Sequence, residues 1–275
     1  MSSVDWTLPE PTTDYYTDSI LEEAKEFSDT AVVVIARIGG EGTDLPTDFG
    51  AKNEDGSDKY TYVDNSTEYK DFADGQHYLE LSQTERNMVE LVCDNFENVV
   101  IVYNGANAME LGWVEDYEQI DAVLCCPGAG ESGFKALGSI LNGDVNPSGK
   151  LADTYVYDLT ETPSYNNFGD FTYENMDEFK WDENGTAQDV NFVNYTEGIY
   201  VGYKFYETAY EEAKQGNMDF DYDTTVQYPF GYGLSYTTFD QKISDFETTE
   251  DGFRVTVEVT NTGDDEGKRC SRALL

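Results

Sequence analysis

The sequence predicts an α/β domain, built on an open and mostly parallel sheet with helices on both faces, followed by a short β-sandwich segment. Three observations carry this: continuous apolar runs, helical stripes between them, and a period-two stretch near the end. Ala31-Val-Val-Val-Ile-Ala-Arg37 stops at Gly39 and Gly40 and has the pattern of a strand buried on both faces. Ser82-Gln-Thr-Glu85 is a capping box, and Met88, Val89, Val92 and Phe96 make one apolar helical stripe behind it. Val99 to Val102 is a second buried strand, Met109 to Tyr117 a short helix, and Ala122 to Cys126 a third strand. A helix from Glu131 to Leu141 is stopped by Asn142-Gly143-Asp144. The alternation implies a doubly wound layer. Phe253-Arg-Val-Thr-Val-Glu-Val-Thr-Asn261 then alternates as a sandwich strand does. Too few residues follow Ser235 to complete the ~100 of an immunoglobulin-like sandwich, so the expected division is 1–237 for the α/β domain and 238–275 for a truncated sandwich. Asn53 to Gln76 and Pro163 to Asn194 are acidic, Tyr-rich and aperiodic, and read as long loops.

Composition narrows the partners. Sixteen Lys and Arg against 56 Asp and Glu give a formal charge of −40, which repels phosphate backbones and anionic headgroups. No nucleic acid is expected as a partner, and no apolar stretch approaches the ~18 residues of a membrane segment. Solubility alone accounts for most of that charge. A neutral ligand such as a sugar remains compatible, since 21 tyrosines beside many carboxylates supply both stacking faces and hydroxyl acceptors. Cys93, Cys125, Cys126 and Cys270 show no disulfide spacing, and reduced thiols are expected.

Three features compete for the chemistry. Gly128-Ala-Gly-Glu-Ser-Gly133 matches G-x-G-x-x-G with Asp153 twenty residues on, the pattern of a nucleotide-binding turn. It follows the third strand rather than the first, and Glu131 places negative charge where a pyrophosphate would sit, so a tight strand-to-helix turn explains it better. Gly39-Gly-Glu41-Gly-Thr-Asp44 directly follows the first strand, where open α/β sheets place their crevice. Its glycines present the Glu41 carboxyl as a candidate proton donor, although an ordinary solvated loop glutamate has the same pattern. Asn53 to Asp58 and Asp182 to Gly185 resemble calcium loops without the twelfth-position Glu, and read as solvated turns, with a structural calcium ion left as the alternative. His77 is the one histidine, which leaves zinc and histidine catalysis without a basis; no metal and no cofactor is expected.

Taken together, Ile35 to Asp44, Leu79 to Val92, Pro127 to Gly133, Gly143-Asp-Val-Asn-Pro-Ser-Gly-Lys-Leu151, Glu197-Gly-Ile-Tyr-Val-Gly-Tyr203 and Tyr228-Pro-Phe-Gly-Tyr-Gly-Leu-Ser-Tyr-Thr-Thr-Phe239 resemble, in order, the landmarks of family 3 glycoside hydrolases of the β-glucosidase type. Arg254 to Gly267 resembles the opening of that family's fibronectin type III-like module. The resemblance implies a retaining hydrolase of terminal non-reducing β-D-glucosyl residues, with Glu41 as general acid/base and a nucleophilic Asp on a preceding barrel domain. Arg37 and Asp44 flank Glu41 and, by the same resemblance, position it or bind sugar hydroxyls. Leu45 stands where many relatives carry Arg, and Lys268 to Leu275 leaves the family pattern. The expected partners are therefore a β-linked oligosaccharide or glycoside and the missing N-terminal barrel domain, with the chain alone inactive or nearly so. A secreted or cell-surface parent is left open. The alternatives are a non-catalytic carbohydrate-binding module, which would bind cellobiose unaided, and a nucleotide-binding domain using Gly128 to Gly133.

Overall fold

A computed structural model describes residues 9–39, 44–167, 169, 171–175 and 191–269. The elements in chain order are α1 (Asp18–Phe27), β1 (Thr30–Ala36), α2 (Gln83–Asn95), β2 (Asn98–Asn104), β3 (Ile120–Cys125), α3 (Phe134–Leu141), β4 (Tyr155–Val156), β5 (Phe171–Thr172), β6 (Asn191–Phe192), α4 (Tyr203–Lys214), α5 (Tyr222–Thr225), β7 (Val226–Tyr228), β8 (Phe239–Thr249) and β9 (Gly252–Asn261). Short 3-10 turns separate several of them, including one at Gly112–Asp116 in place of the expected helix from Met109 to Tyr117. The architecture is α/β: β1, β2 and β3 form a parallel three-stranded sheet with helices, and small antiparallel sheets follow toward the C-terminus.

Parallel pairing needs a crossover, and α2 supplies the one between β1 and β2. That helix starts where the sequence says it must. Ser82 Oγ accepts from the Glu85 amide and the Glu85 carboxylate accepts from the Ser82 amide, a complete capping box. Its Val89 and Cys93 are buried, and burial pushes the Cys93 thiol up to about 11, which keeps it inert. The middle strand β2 is the core of the sheet: Val99, Ile101, Val102 and Tyr103 are all fully buried. Strand β1 differs from its expected double burial. Val33 and Ile35 are buried, whereas Val32 and Val34 remain 48% and 51% exposed, because alternate residues leave a strand on opposite faces.

The chain divides into two compact units, Met1–Pro127 with Tyr155–Gln227, and Gly128–Thr154 with Tyr228–Leu275. Within the first, a second apolar cluster joins Val156, Tyr206 and Val226 to Leu159, Phe205, Phe220 and Tyr222. Within the second, the turn before α3 has Gly128 and Gly130 at positive φ, and Asn142 caps the helix with Gly143 at φ +82° behind it. Segments 143–151 and 231–236 are stitched together by the Leu151 amide donating to Tyr232 O and the Gly231 amide donating to Leu151 O, both at 2.8 Å, and by Asn146 Oδ1, which accepts from Ser235 Oγ and the Tyr236 amide.

The β8–β9 hairpin carries the period-two pattern to completion. Ile243 faces Val257 and Phe246 faces Val255, while Lys242 with Glu258 and Glu247 with Arg254 form ion pairs across the opposite face. A bulge between Ile243 and Asp245 returns Phe246 to the apolar face, where its ring stacks on Phe253.

Candidate functional site

Arg37 and Asp44 stand on either side of the short stretch that follows β1. Since β1 and β2 run parallel with Ala36 opposite Asn104, the segments after each strand leave from one edge. Arg37 extends the ladder by one more bond, its amide donating to Asn104 O at 3.1 Å. Gly39 then passes so close to Asn107 and Leu45 that a Cβ there would press on both. Glu41 falls in residues 40–43, outside the described residues. Asp44, on the far side of that short stretch, is exposed.

The two ends of the stretch are held firmly. On the near end, the Arg37 guanidinium turns inward and every one of its nitrogens finds a protein acceptor. Nε donates to Tyr78 O at 2.6 Å, Nη1 to Ala36 O at 2.7 Å and Glu85 Oε1 at 2.5 Å, and Nη2 to Glu80 O at 2.5 Å and Glu85 Oε2 at 2.6 Å. This is a two-pronged buried ion pair, its side chains 1% and 0% exposed. Burial alone would lower the Arg37 pKa; the Glu85 carboxylate outweighs it and raises the value. All three Arg37 nitrogens are thus engaged by acceptors of the protein itself.

On the far end, Tyr78 N donates to Pro46 O and Phe49 N to Gln76 O. Asp48 Oδ1 accepts from the amides of Gly50 and Gly75, at 2.6 and 2.8 Å, and Tyr165 Oη donates to Thr47 O at 2.6 Å. Phe49 also stacks on Phe72 and meets Tyr62 and Tyr78 edge-on, so an aromatic cluster anchors the backbone that leaves Asp44.

His77 belongs to the same support. Its Nδ1 accepts from the Leu79 amide at 3.1 Å, which leaves Nε2 to carry the hydrogen and donate to Glu110 Oε1 at 3.0 Å. Glu110 Oε1 also accepts from the Leu159 amide. The acidic loop at Asn53–Asp58 closes on itself: Ser57 binds Asp55 through its amide and hydroxyl, and Asp58 pairs with Lys52. The loop from Asp182 to Gly185 lies outside the described residues, and among those described no group of three or more His, Cys, Asp or Glu side chains is arranged to hold a metal.

Two carboxyls that the sequence reading did not single out for the site stand at its base. Glu85 was legible as a capping residue, and its second role, holding Arg37 from 48 positions away, had no local signal. Glu10, far upstream in the chain, donates its amide to Asn65 Oδ1, and burial first, with the Glu85 charge second, pushes its carboxyl up from 4.5 to about 8.

Comparison with known proteins accords with this geometry. The profile described as "Glycosyl hydrolase family 3 C-terminal domain" matches residues 14–203. Beta-glucosidase A of Butyrivibrio fibrisolvens is 34% identical over 266 residues, covering 91% of this chain and 28% of that protein. A beta-glucosidase of Ruminococcus albus is 30% identical over 258 residues, covering 94% of this chain and 21% of that protein. Among solved structures, a beta-glucosidase from Paenibacillus barengoltzii superposes with a TM-score of 0.63 at 30% identity, over 95% of this chain and 22% of its own. Beta-glucosidase 3B from Thermotoga neapolitana, in complex with glycerol, gives 0.62 at 27% identity, over 94% and 29%. The chain thus spans less than a third of the length of each of these relatives.

Proposed function

Because the chain belongs to glycosyl hydrolase family 3, through that family's C-terminal domain, we propose that it is the acid/base-bearing part of a retaining β-glucosidase. The substrate is a terminal non-reducing β-D-glucosyl residue, a reading supported by its similarity to the beta-glucosidases of Butyrivibrio fibrisolvens and Ruminococcus albus. Glu41 is the general acid/base: it protonates the departing glycosidic oxygen in the first displacement and takes a proton from the incoming water in the second. The nucleophile belongs to a barrel domain that precedes this part in the whole protein. Asp44 contacts sugar hydroxyls and Arg37 holds the segment in register.

One observation supports this reading above the others. The stretch that carries Glu41 is fastened at both ends, by the Arg37–Glu85 pair and by the Pro46–Gly50 bonds, at the sheet edge where α/β folds place their ligands. A loop meant only for solvent has no need of a buried ion pair beneath it. The alternating, amphipathic β8–β9 pair supports keeping 238–275 as the start of a fibronectin type III-like module.

The test uses the whole protein that contains this chain, assayed on two aryl β-glucosides, one with a poor and one with a good leaving group. Glu41→Gln is expected to slow the poor leaving group by ~10²–10⁴-fold, and the good one far less in the first step, since a stable leaving anion needs no proton. Equal losses on both substrates, or no loss, would remove Glu41 from the acid role. This chain alone is expected to give no turnover above background in the same assay.

A further inference from the structure

Among the described residues β8 and β9 form a sheet of two strands, which leaves β9 with an outer edge that no strand covers. From Phe253 to Val259 every residue except the half-buried Val255 is exposed. A two-stranded ribbon is marginal in water, and a row of unpaired amides and carbonyls is a template for another strand. Thr256 O accepts from Ser244 Oγ at 3.3 Å, so that carbonyl faces β8. Alternation along the strand then turns the amides and carbonyls of Val255 and Val257 toward the open edge.

The side chains along that edge are complementary to themselves. Two antiparallel copies of β9 that cross at Thr256 set Arg254 of each opposite the partner's Glu258, and Val255 opposite the partner's Val257. Within each hairpin Glu247 already faces Arg254 and Lys242 faces Glu258, as ion pairs of 2.7 and 2.9 Å. One face of the four strands therefore runs Glu247, Arg254, the partner's Glu258, the partner's Lys242, with the sign of charge changing at every step. The opposite face runs Phe246, Val255, the partner's Val257, the partner's Ile243, apolar throughout. Neighbouring registers lose this match. Crossing at Val255 or Val257 sets both charges opposite Thr or Gly, and crossing at Arg254 or Glu258 sets like charges face to face. The Arg254 and Glu258 side chains are 68% and 53% exposed, so each can reach a second neighbour.

We propose that this chain pairs with a second copy of itself through the outer edge of β9, forming a four-stranded antiparallel sheet about a two-fold axis at Thr256. The formal charge of −40 opposes association of two copies as a whole. At physiological ionic strength, however, exposed charges farther apart than ~8 Å are largely screened from one another. The Arg254 and Glu258 rows meet well inside that distance, where facing side chains of an antiparallel pair lie. The pairing uses neither Glu41 nor the Arg37–Glu85 support, so it stands or falls apart from the hydrolase reading.

Analytical ultracentrifugation of this chain at physiological salt tests it. A dimer is expected to form at ~10–100 µM, the strength of a small interface, and a parent chain still monomeric at the upper end of that range overturns the proposal. Arg254→Glu and Glu258→Lys each set like charges opposite one another twice, and each is expected to weaken association ~10-fold or more. An equimolar mixture of the two variants restores opposite charges at both facing positions, and should recover the dimer. Thr256→Cys leaves every charge in place and does not depend on how the reversals fold. Oxidised glutathione should join two copies through residue 256, on the axis, and should not join them through Thr260→Cys, which lies off it. Peptide mapping separates that link from the chain's own four cysteines. A dimer that survives both reversals, or that links through Thr260→Cys as readily as through Thr256→Cys, joins by another surface and overturns the proposal.

Discussion

Arg37→Ala is expected to destabilise the first compact unit by ~3–5 kcal/mol, the cost of breaking a buried pair from one side. The reason is what stays behind. Glu85 would keep its ionised carboxylate deep in the protein with the Ser82 amide as its remaining strong donor, and the carbonyls of Tyr78 and Glu80 would lose their partner at once. Against a typical total of ~5–15 kcal/mol, that is a large fraction. Because the pair is almost fully out of solvent, added salt should not reproduce the loss, whereas it would for an exposed pair such as Lys242–Glu258. Replacing both members by methionine is expected to cost far less than either single change, since no unpaired charge then remains. Urea unfolding of the parent, both single variants and the double variant checks this. A loss under ~1 kcal/mol for Arg37→Ala would mean that water reaches the pair.

The elements that the sequence revealed are those whose cause is local. Ser82 and Glu85 lie three residues apart and cap each other, so the start of α2 is visible in four letters. The apolar runs at β1, β2 and β3 and the stop at Asn142-Gly143 are likewise short-range, and each stands within two or three residues of its expected place, though α3 begins at Phe134 rather than Glu131. The six ordered motifs brought the family into view for a related reason, since each is a short run of residues readable without knowing the rest of the fold.

What could not be read depended on distance. Nothing near Glu85 announces that it will also hold Arg37, because the fold brings the two together across 48 positions. The bond from His77 to Glu110 spans 33 positions and had no sequence signature either. The support around Arg37 was therefore hidden from the sequence, and Glu41 itself lies outside the described residues.

The sheet itself yields the second large effect. Ile101 sits in the middle strand with Val33 on one side and Val123 on the other, fully buried, so Ile101→Ala is expected to cost ~2–5 kcal/mol through lost burial and the cavity left behind. Val34 lies one strand over and pairs with Val102, yet half of its surface meets solvent. Val34→Ala should cost no more than ~1 kcal/mol, little beyond the loss of a branched residue from a strand. The contrast matters more than either number. The uninterrupted apolar run Ala31 to Ala36 has the composition of a strand covered on both faces, and in this chain its alternate residues are covered on one. If thermal or urea unfolding gives Val34→Ala a loss as large as that of Ile101→Ala, something packs on the second face in solution. A small loss there beside a large one at Ile101 means that the second face is covered at β2, where Val102 is fully buried, and left open at β1.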